Sequence, residues 1–462
     1  MPRIQLPAVG QSYRHADLPL SAQSTKNWFP EVNTETDTTV SLQPYFGAEL
    51  VFLTPAVGAD RGMTYFQGAI LKVTGNKLYA KNLLLDPVTE IGTISGTDYC
   101  DFTASSDYLV IVSSGYAYSY DGTTLSTISD VDLESPNSVA YLNNQWIFQG
   151  SENRFCVSDA GDPTSINGLN YATAESGGSD LLRVYVFNQL VYLFCRDFIE
   201  TWWNSGSGNP PFDRVEGGIA QTGCGAPWSI ASNDNYIYFI GDDAIVYQMA
   251  GSQVRPISTI PVAQTFQAYA EVFTARGFCF TRNGQNFYQV NTDDYTWLFN
   301  ENSGAWSELT IGAAERQYPV TSHLRVANIN FVADGNKVLQ LTDTPLYNDE
   351  LIVRERVTGK ISGETLGAEY IGRPIFMSRI EIIIKGVPPL GDAPQIMLSW
   401  SDDAGYTWSN ERLITCGALG NYTFKAIDWQ LGRFYERVFK IRISDEYRCS
   451  LHRMSGDIEV GN

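Results

Sequence analysis

A short β-hairpin recurs along this chain roughly every forty residues, and that recurrence restricts the fold more than any single motif does. The clearest copy runs from Asn233 to Gln248. Tyr236-Ile237-Tyr238-Phe239-Ile240 leaves a polar turn, Gly241-Asp242-Asp243 reverses the chain, and Ala244 to Gln248 returns. Tyr, Ile and Val suit a pleated surface, while Gly and Asp tolerate tight-turn dihedrals. Equivalent hairpins read at 68–80, 107–120, 144–158, 189–203, 277–290 and 328–341. Their opening strands start at 69, 108, 145, 190, 236, 278 and 329, with gaps of 39, 37, 45, 46, 42 and 51 residues. Such a period, with two central strands per unit, marks a β-propeller blade. One blade cannot bury both faces of its sheet, so blades stack radially. Six or seven blades are expected, seven favoured. Glu49-Leu50-Val51-Phe52-Leu53 is available to close the ring by pairing into the last blade. A long β-solenoid or two sandwiches are the competing arrangements.

The rest of the chain is organised around this repeat. Residues 1–50 are rich in Pro, Ser, Thr and Asn and read as an extended arm, anchored by Asn27-Trp28-Phe29-Pro30-Glu31. Residues 51–343 are the propeller and 344–370 a linker or exchange segment. Residues 371–462 alternate over 379–385, 395–401, 422–429 and 437–444, as in a β-sandwich. The expected fold is therefore all-β: a propeller followed by a C-terminal sandwich, with very little helix. One helix is expected near 261–270. Val262, Phe266, Tyr269, Ala270 and Phe273 share a helical face, Pro261 suits the first turn, and Ser258 or Thr259 can cap it.

The chain has 462 residues and a formal net charge of −20, so free nucleic acid is repelled rather than held. The seven Cys form no CxxC pair and read as isolated buried thiols made in a reducing compartment. His15, His323 and His452 are scattered and suit no zinc site. Met1 to Pro7 lacks the apolar core of a signal peptide, and no apolar run reaches bilayer length. The glycines at 217, 218, 223 and 225 read as turns, and no Gly-x-Gly-x-x-Gly opens a helix. Asp242-Asp243, Asp293-Asp294 and Asp402-Asp403 read as solvated turns rather than calcium ligands. Trp202-Trp203 reads as a blade-edge core pair rather than a sugar or base stacking platform. No catalytic residue, metal or cofactor is expected.

The sharpest short motif is Ser401-Asp402-Asp403-Ala404-Gly405-Tyr406-Thr407-Trp408, which matches the Asp-box of sialidases. Its expected role is structural. Gly405 permits the tight turn, Asp403 accepts from backbone amides, Ser401 and Thr407 frame it, and Trp408 packs beneath. A glycosidase would need an arginine set and a paired nucleophile, which the sequence does not assemble.

Arg14-His15-Ala16-Asp17, Asn27 with Pro30-Glu31, Leu42-Gln43-Pro44-Tyr45-Phe46-Gly47 and the stretch Ser401 to Arg412 resemble the packaged-DNA stabilisation, or tail nozzle, family of short-tailed bacteriophages. The resemblance implies a homo-hexamer at the tail end of the virion, below an adaptor protein. It also implies contacts with a tailspike, fibre or needle protein, and passage of double-stranded DNA without sequence-specific binding. Assembly would occur in the host cytoplasm. The alternative is a propeller-type glycan-binding protein or glycosidase acting at the host surface.

Overall fold

A computed structural model describes residues 2–461 apart from 19, 33–39, 83–86, 387–392 and 417–422; the expected strand residue Tyr422 lies outside this set. Among the described residues seven blades, each with four antiparallel strands, surround one axis. Blades 1 to 5 span 60–93, 101–127, 139–173, 181–220 and 224–256. Blade 6 spans 276–308, and blade 7 joins 322–342 to the strand Gly47–Leu53. The hairpin at 233–248 forms the middle of blade 5, with Ile237 opposite Met249 and Ile240 opposite Val246. The expected closure is present. Gly47–Leu53 lies antiparallel along Lys337–Thr342, from Leu53 opposite Lys337 to Gly47 opposite Thr342.

Radial stacking follows from two-faced strands. Each neighbouring pair of blades shares its own apolar layer. Between blades 4 and 5, Phe194 meets Phe239 edge-on at 5.4 Å; between blades 5 and 6, Tyr238 stacks on Tyr288 at 5.0 Å. Phe52 of the closing strand enters the layer between blades 7 and 1, with Met63, Ile70 and Val338.

The expected helix is α1, Ile260–Ala268, with Thr259 at the N-cap position and Pro261 in its first turn. Val262 and Phe266 are buried against blades 5 and 6. Tyr269, Ala270 and Phe273 share its period in sequence but lie beyond its end. Tyr269 is extended, and the chain turns through Val272–Thr274 toward blade 6, leaving Phe273 exposed. A one-turn helix α2, Gly363–Leu366, is held by reciprocal bonds between Ser362 and Thr365.

The C-terminal sandwich is built from both ends of the chain. One sheet orders Trp28–Val32, Val40–Pro44, Cys449–Val460, Ile375–Gly386 and Thr423–Phe434, with Arg3–Leu6 also paired to Cys449–Val460. The facing sheet orders Ala22–Lys26, Arg354–Val357, Glu436–Ile443, Gln395–Ser401 and Arg412–Thr415. Trp28 is fully buried in the shared core and donates its indole N–H to the Cys449 carbonyl at 3.0 Å. Arg3–Leu6, Ala22–Lys26, Trp28–Val32 and Val40–Pro44 are thus woven into the sandwich, and Arg354–Val357 and Ile361–Ser362 also pair into it. The facing sheet also continues blade 6, because Lys26 pairs in parallel with Glu308 on that blade's outer strand.

Candidate functional site

The innermost strands of successive blades touch one another around the axis. Each carries polar residues at or near its start, and these converge. In blade 1 the Asp60 carboxylate is paired with Lys72, both fully buried, and accepts from Thr321 Oγ1 at 2.8 Å and Ser322 Oγ at 2.6 Å in blade 7. Burial opposes its ionisation, yet the Lys72 ammonium and the two hydroxyls hold the carboxyl below its ordinary range. Arg61 donates to the carbonyls of Gly75, Ile94, Ser95 and Asp98 and to Ser113 Oγ, tying blade 1 to blade 2.

Arg183 crosses the centre. From blade 4 it pairs with Asp101 of blade 2 at 2.9 Å and donates to the Pro227 and Ile230 carbonyls of blade 5 at 2.9 and 3.2 Å. Arg276 of blade 6 donates to the Asp60 carbonyl at 2.9 Å and lies over the Tyr99 ring at 4.9 Å. Tyr99 in turn packs on Trp228 of blade 5 at 5.4 Å. Side chains from non-adjacent blades therefore meet near the axis, blade 4 bonding blade 2 and blade 6 bonding blade 1. The sequence reading missed this cluster; its signal was a charged or hydroxyl residue recurring near each inner strand's start.

A second polar system joins propeller to sandwich. Asn27, at φ 57°, donates to Thr310 Oγ1 at 3.0 Å and the Val353 carbonyl at 2.6 Å, and accepts from the Thr310 amide. Asp343 bridges Arg282 and Arg448 at 3.3 and 3.1 Å, and both guanidinium groups lie over Phe46. Fully buried Arg356 donates to the carbonyls of Ala8, Gln11 and Ser24, to Thr25 Oγ1 and to Gln23 Oε1. Burial pulls its pKa down to about 9.

The Asp-box residues stand together on the turn after Gln395–Ser401. Ser401 Oγ donates to Asp403 at 2.6 Å and accepts the Gly405 amide at 2.8 Å. Asp403 accepts the Thr407 amide at 2.8 Å and hydroxyl at 2.5 Å, and these hydrogen bonds lower its pKa to about 2. Gly405 has φ +97° and abuts Ala22, where a Cβ would come within 3.1 Å. Trp408 packs with Ala22, Val357 and Val438 beneath Lys440, whose ammonium sits 4.1 Å from the ring. The neighbouring Asp402 takes a two-point contact from buried Arg437 at 2.6 and 2.8 Å. The box thus rests on the woven N-terminal strand, away from the propeller axis.

The other singled-out residues have local partners. Trp202 is half-buried and donates to Glu200 at 2.9 Å, whereas Trp203 is exposed. The Asp243 carboxylate accepts the Ile245 amide and the Tyr247 hydroxyl. All seven Cys are free thiols; burial pushes six, among them Cys100 and Cys224, up to about 12. Among the described residues no group of three His, Cys, Asp or Glu could hold a metal ion, and no helix is long and apolar enough to cross a membrane.

A closed seven-bladed propeller, its axis filled by its own side chains and its sandwich built from both chain ends, defines an all-β scaffold. The sequence matches the family described as bacteriophage P22 Gp10, beta-propeller, over residues 4–344, and its beta-sandwich counterpart over residues 372–459. The chain belongs to this family of phage stabilisation proteins. No curated protein sequence matches it. Among solved structures it is similar to BamB from Moraxella catarrhalis, at 9% identity and TM-score 0.41, over 74% of this chain and 96% of that one. It is also similar to the Pan2 WD40 domain of Neurospora crassa, at 10% identity and TM-score 0.42, over 62% and 89%.

Proposed function

We propose that this chain is a non-catalytic component of a short-tailed phage virion. Six copies form the tail nozzle, which extends and closes the DNA channel, retains the packaged genome and passes it at ejection. The observation that carries this reading is the filled axis. With Arg183, Arg276, Tyr99 and Trp228 across its centre, a subunit has no passage of its own, so duplex DNA travels between copies. A cyclic ring is the arrangement that encloses such a passage. The net charge of −20 supports the same reading, because a wall of like charge does not hold phosphates and lets the genome slide.

Family membership supports a place in the virion. There the ring meets an adaptor protein above and a tailspike, fibre or needle protein below. Synthesis in the host cytoplasm fits seven unpaired thiols. The axial carboxylates are occupied by internal partners, which favours a scaffold over a glycosidase. A density map of the assembled tail tests the proposal. Six copies around an open passage are expected. A single peripheral copy, or absence of the chain from purified particles, would overturn it.

A further inference from the structure

We infer that the outer face of the long-stranded sandwich sheet is the surface through which one copy grips the blade 3 rim of the next; this rests on the ring reading above. Charge is unevenly divided. Residues 371–462 hold eleven acidic and eleven basic residues, so the whole excess of −20 falls on residues 1–370. The outer face of the long-stranded sheet carries cations and aromatics side by side. Ile380, Ile382 and Ile384 of the strand Ile375–Gly386 point into the core, and alternate residues point out. Across that outer face Phe376 lies between Arg433 and Glu459, Arg379 between Trp429 and Asp457, and Ile383 between Lys425 and Arg453.

This face is ordered before anything covers it. Glu381 is only 4% exposed although it points outward, because Arg3 and Arg379 close over it at 2.6 and 2.5 Å. Arg379 also lies over Trp429 at 5.3 Å, and Arg433 donates to the Tyr435 hydroxyl at 2.7 Å. Trp429 remains 57% exposed and Tyr435 56%. Among the described residues Lys425, Arg433 and Arg453 enter no ion pair. Trp, Tyr and Arg are the residue types that dominate binding energy at protein interfaces.

The occupant follows from symmetry and charge. A ring of more than two copies needs two different patches, one meeting the other head to tail. The complementary patch lies on blade 3 and the loop before it. Val131 is 91% exposed and Leu169 68%, with exposed Tyr171, Asp132 and Glu134 beside them. Acid and apolar side chains there face solvent, with Arg154 over the Tyr171 ring at 4.5 Å, as arginine and aromatic side chains do on the sandwich. The sandwich joins the propeller at blades 6 and 7, and in a seven-bladed ring blade 3 lies diametrically across from that boundary. One copy therefore carries the two patches at opposite ends.

Charge swapping in the full chain tests the contact. Arg433→Glu and, separately, Glu134→Arg should each lower the fraction sedimenting as rings about tenfold at fixed concentration, and their combination should restore it. Trp429→Ala should lower it without rescue. All three side-chain changes are at exposed sites, so thermal unfolding of the variants should match wild type. Unchanged ring mass in Arg433→Glu and Trp429→Ala would overturn the inference. So would intact rings that lose affinity for a short DNA duplex, which would assign the face to nucleic acid. A wild-type chain that forms no ring, alone or in purified tails, would overturn the ring reading itself.

Discussion

His323 packs between Phe278 at 5.5 Å and Phe280 at 5.7 Å and bonds Asn330 at 3.0 Å. Burial lowers its pKa from 6.5 to about 4. The unfolded chain therefore binds this proton more readily than the folded one. The contribution is complete above about pH 6.5 and is lost as pH falls toward 4, by roughly 3 kcal/mol. His323→Gln keeps a bond to Asn330 but cannot titrate, so chemical denaturation across that window should show a flatter pH dependence. Asp403 behaves with the same sign at lower pH. Its contribution is present above about 4 and lost toward 2, so amide exchange at Thr407 should accelerate over that window while blade amides stay protected. Arg356 presents five bonds in one fork. Arg356→Lys should cost at least ~3 kcal/mol in urea unfolding and expose residues 7–25 to protease. The Asp-box was legible because Ser401 and Thr407 bond within four residues of their partners. The axial cluster was not, because Asp60 meets Ser322 across 262 residues and Arg183 meets Asp101 across 82. Spacing along a sequence carries no trace of which blades face one another.

Individual elements show where local pattern suffices. The central strands of the blade hairpins are short continuous apolar runs bounded by turn residues, because both faces are buried against neighbouring blades, and short turns fix their register. The strand Gly47–Leu53 draws its importance from closure. Phe52 is buried between the last and first blades, so Phe52→Ala should destabilise the propeller by about 3 kcal/mol, read as a shift in denaturant midpoint with an unchanged slope. The arm was harder to read. Strands such as Ala22–Lys26 lie between Arg354–Val357 and blade 6 and are polar on both faces, because side-chain bonds rather than apolar contact hold them. Polar composition read as an extended arm, whereas its backbone completes two sheets.

For the whole molecule, this weaving makes propeller and sandwich one thermodynamic unit. Trp28 sits in the sandwich core, Asn27 bonds both parts, and Asp343 ties Arg282 to Arg448. Calorimetry should show a single transition, with calorimetric and van't Hoff enthalpies equal. Removing residues 2–26 should split that transition in two, the sandwich melting first. Sequence order placed propeller before sandwich but gave no hint of the coupling, which depends on contacts between the two ends of the chain.

The same interlacing sets a schedule for synthesis. At about 5–20 residues per second, the ribosome needs roughly 20 to 90 seconds to travel from Leu6 to Cys449. The early segment Arg3–Leu6 finds its partner only in the much later Cys449–Val460. Arg3–Leu6 must wait, unpaired, until Cys449–Val460 has been made. A chain stopped before Cys449 holds every blade strand yet cannot seat Arg3–Leu6.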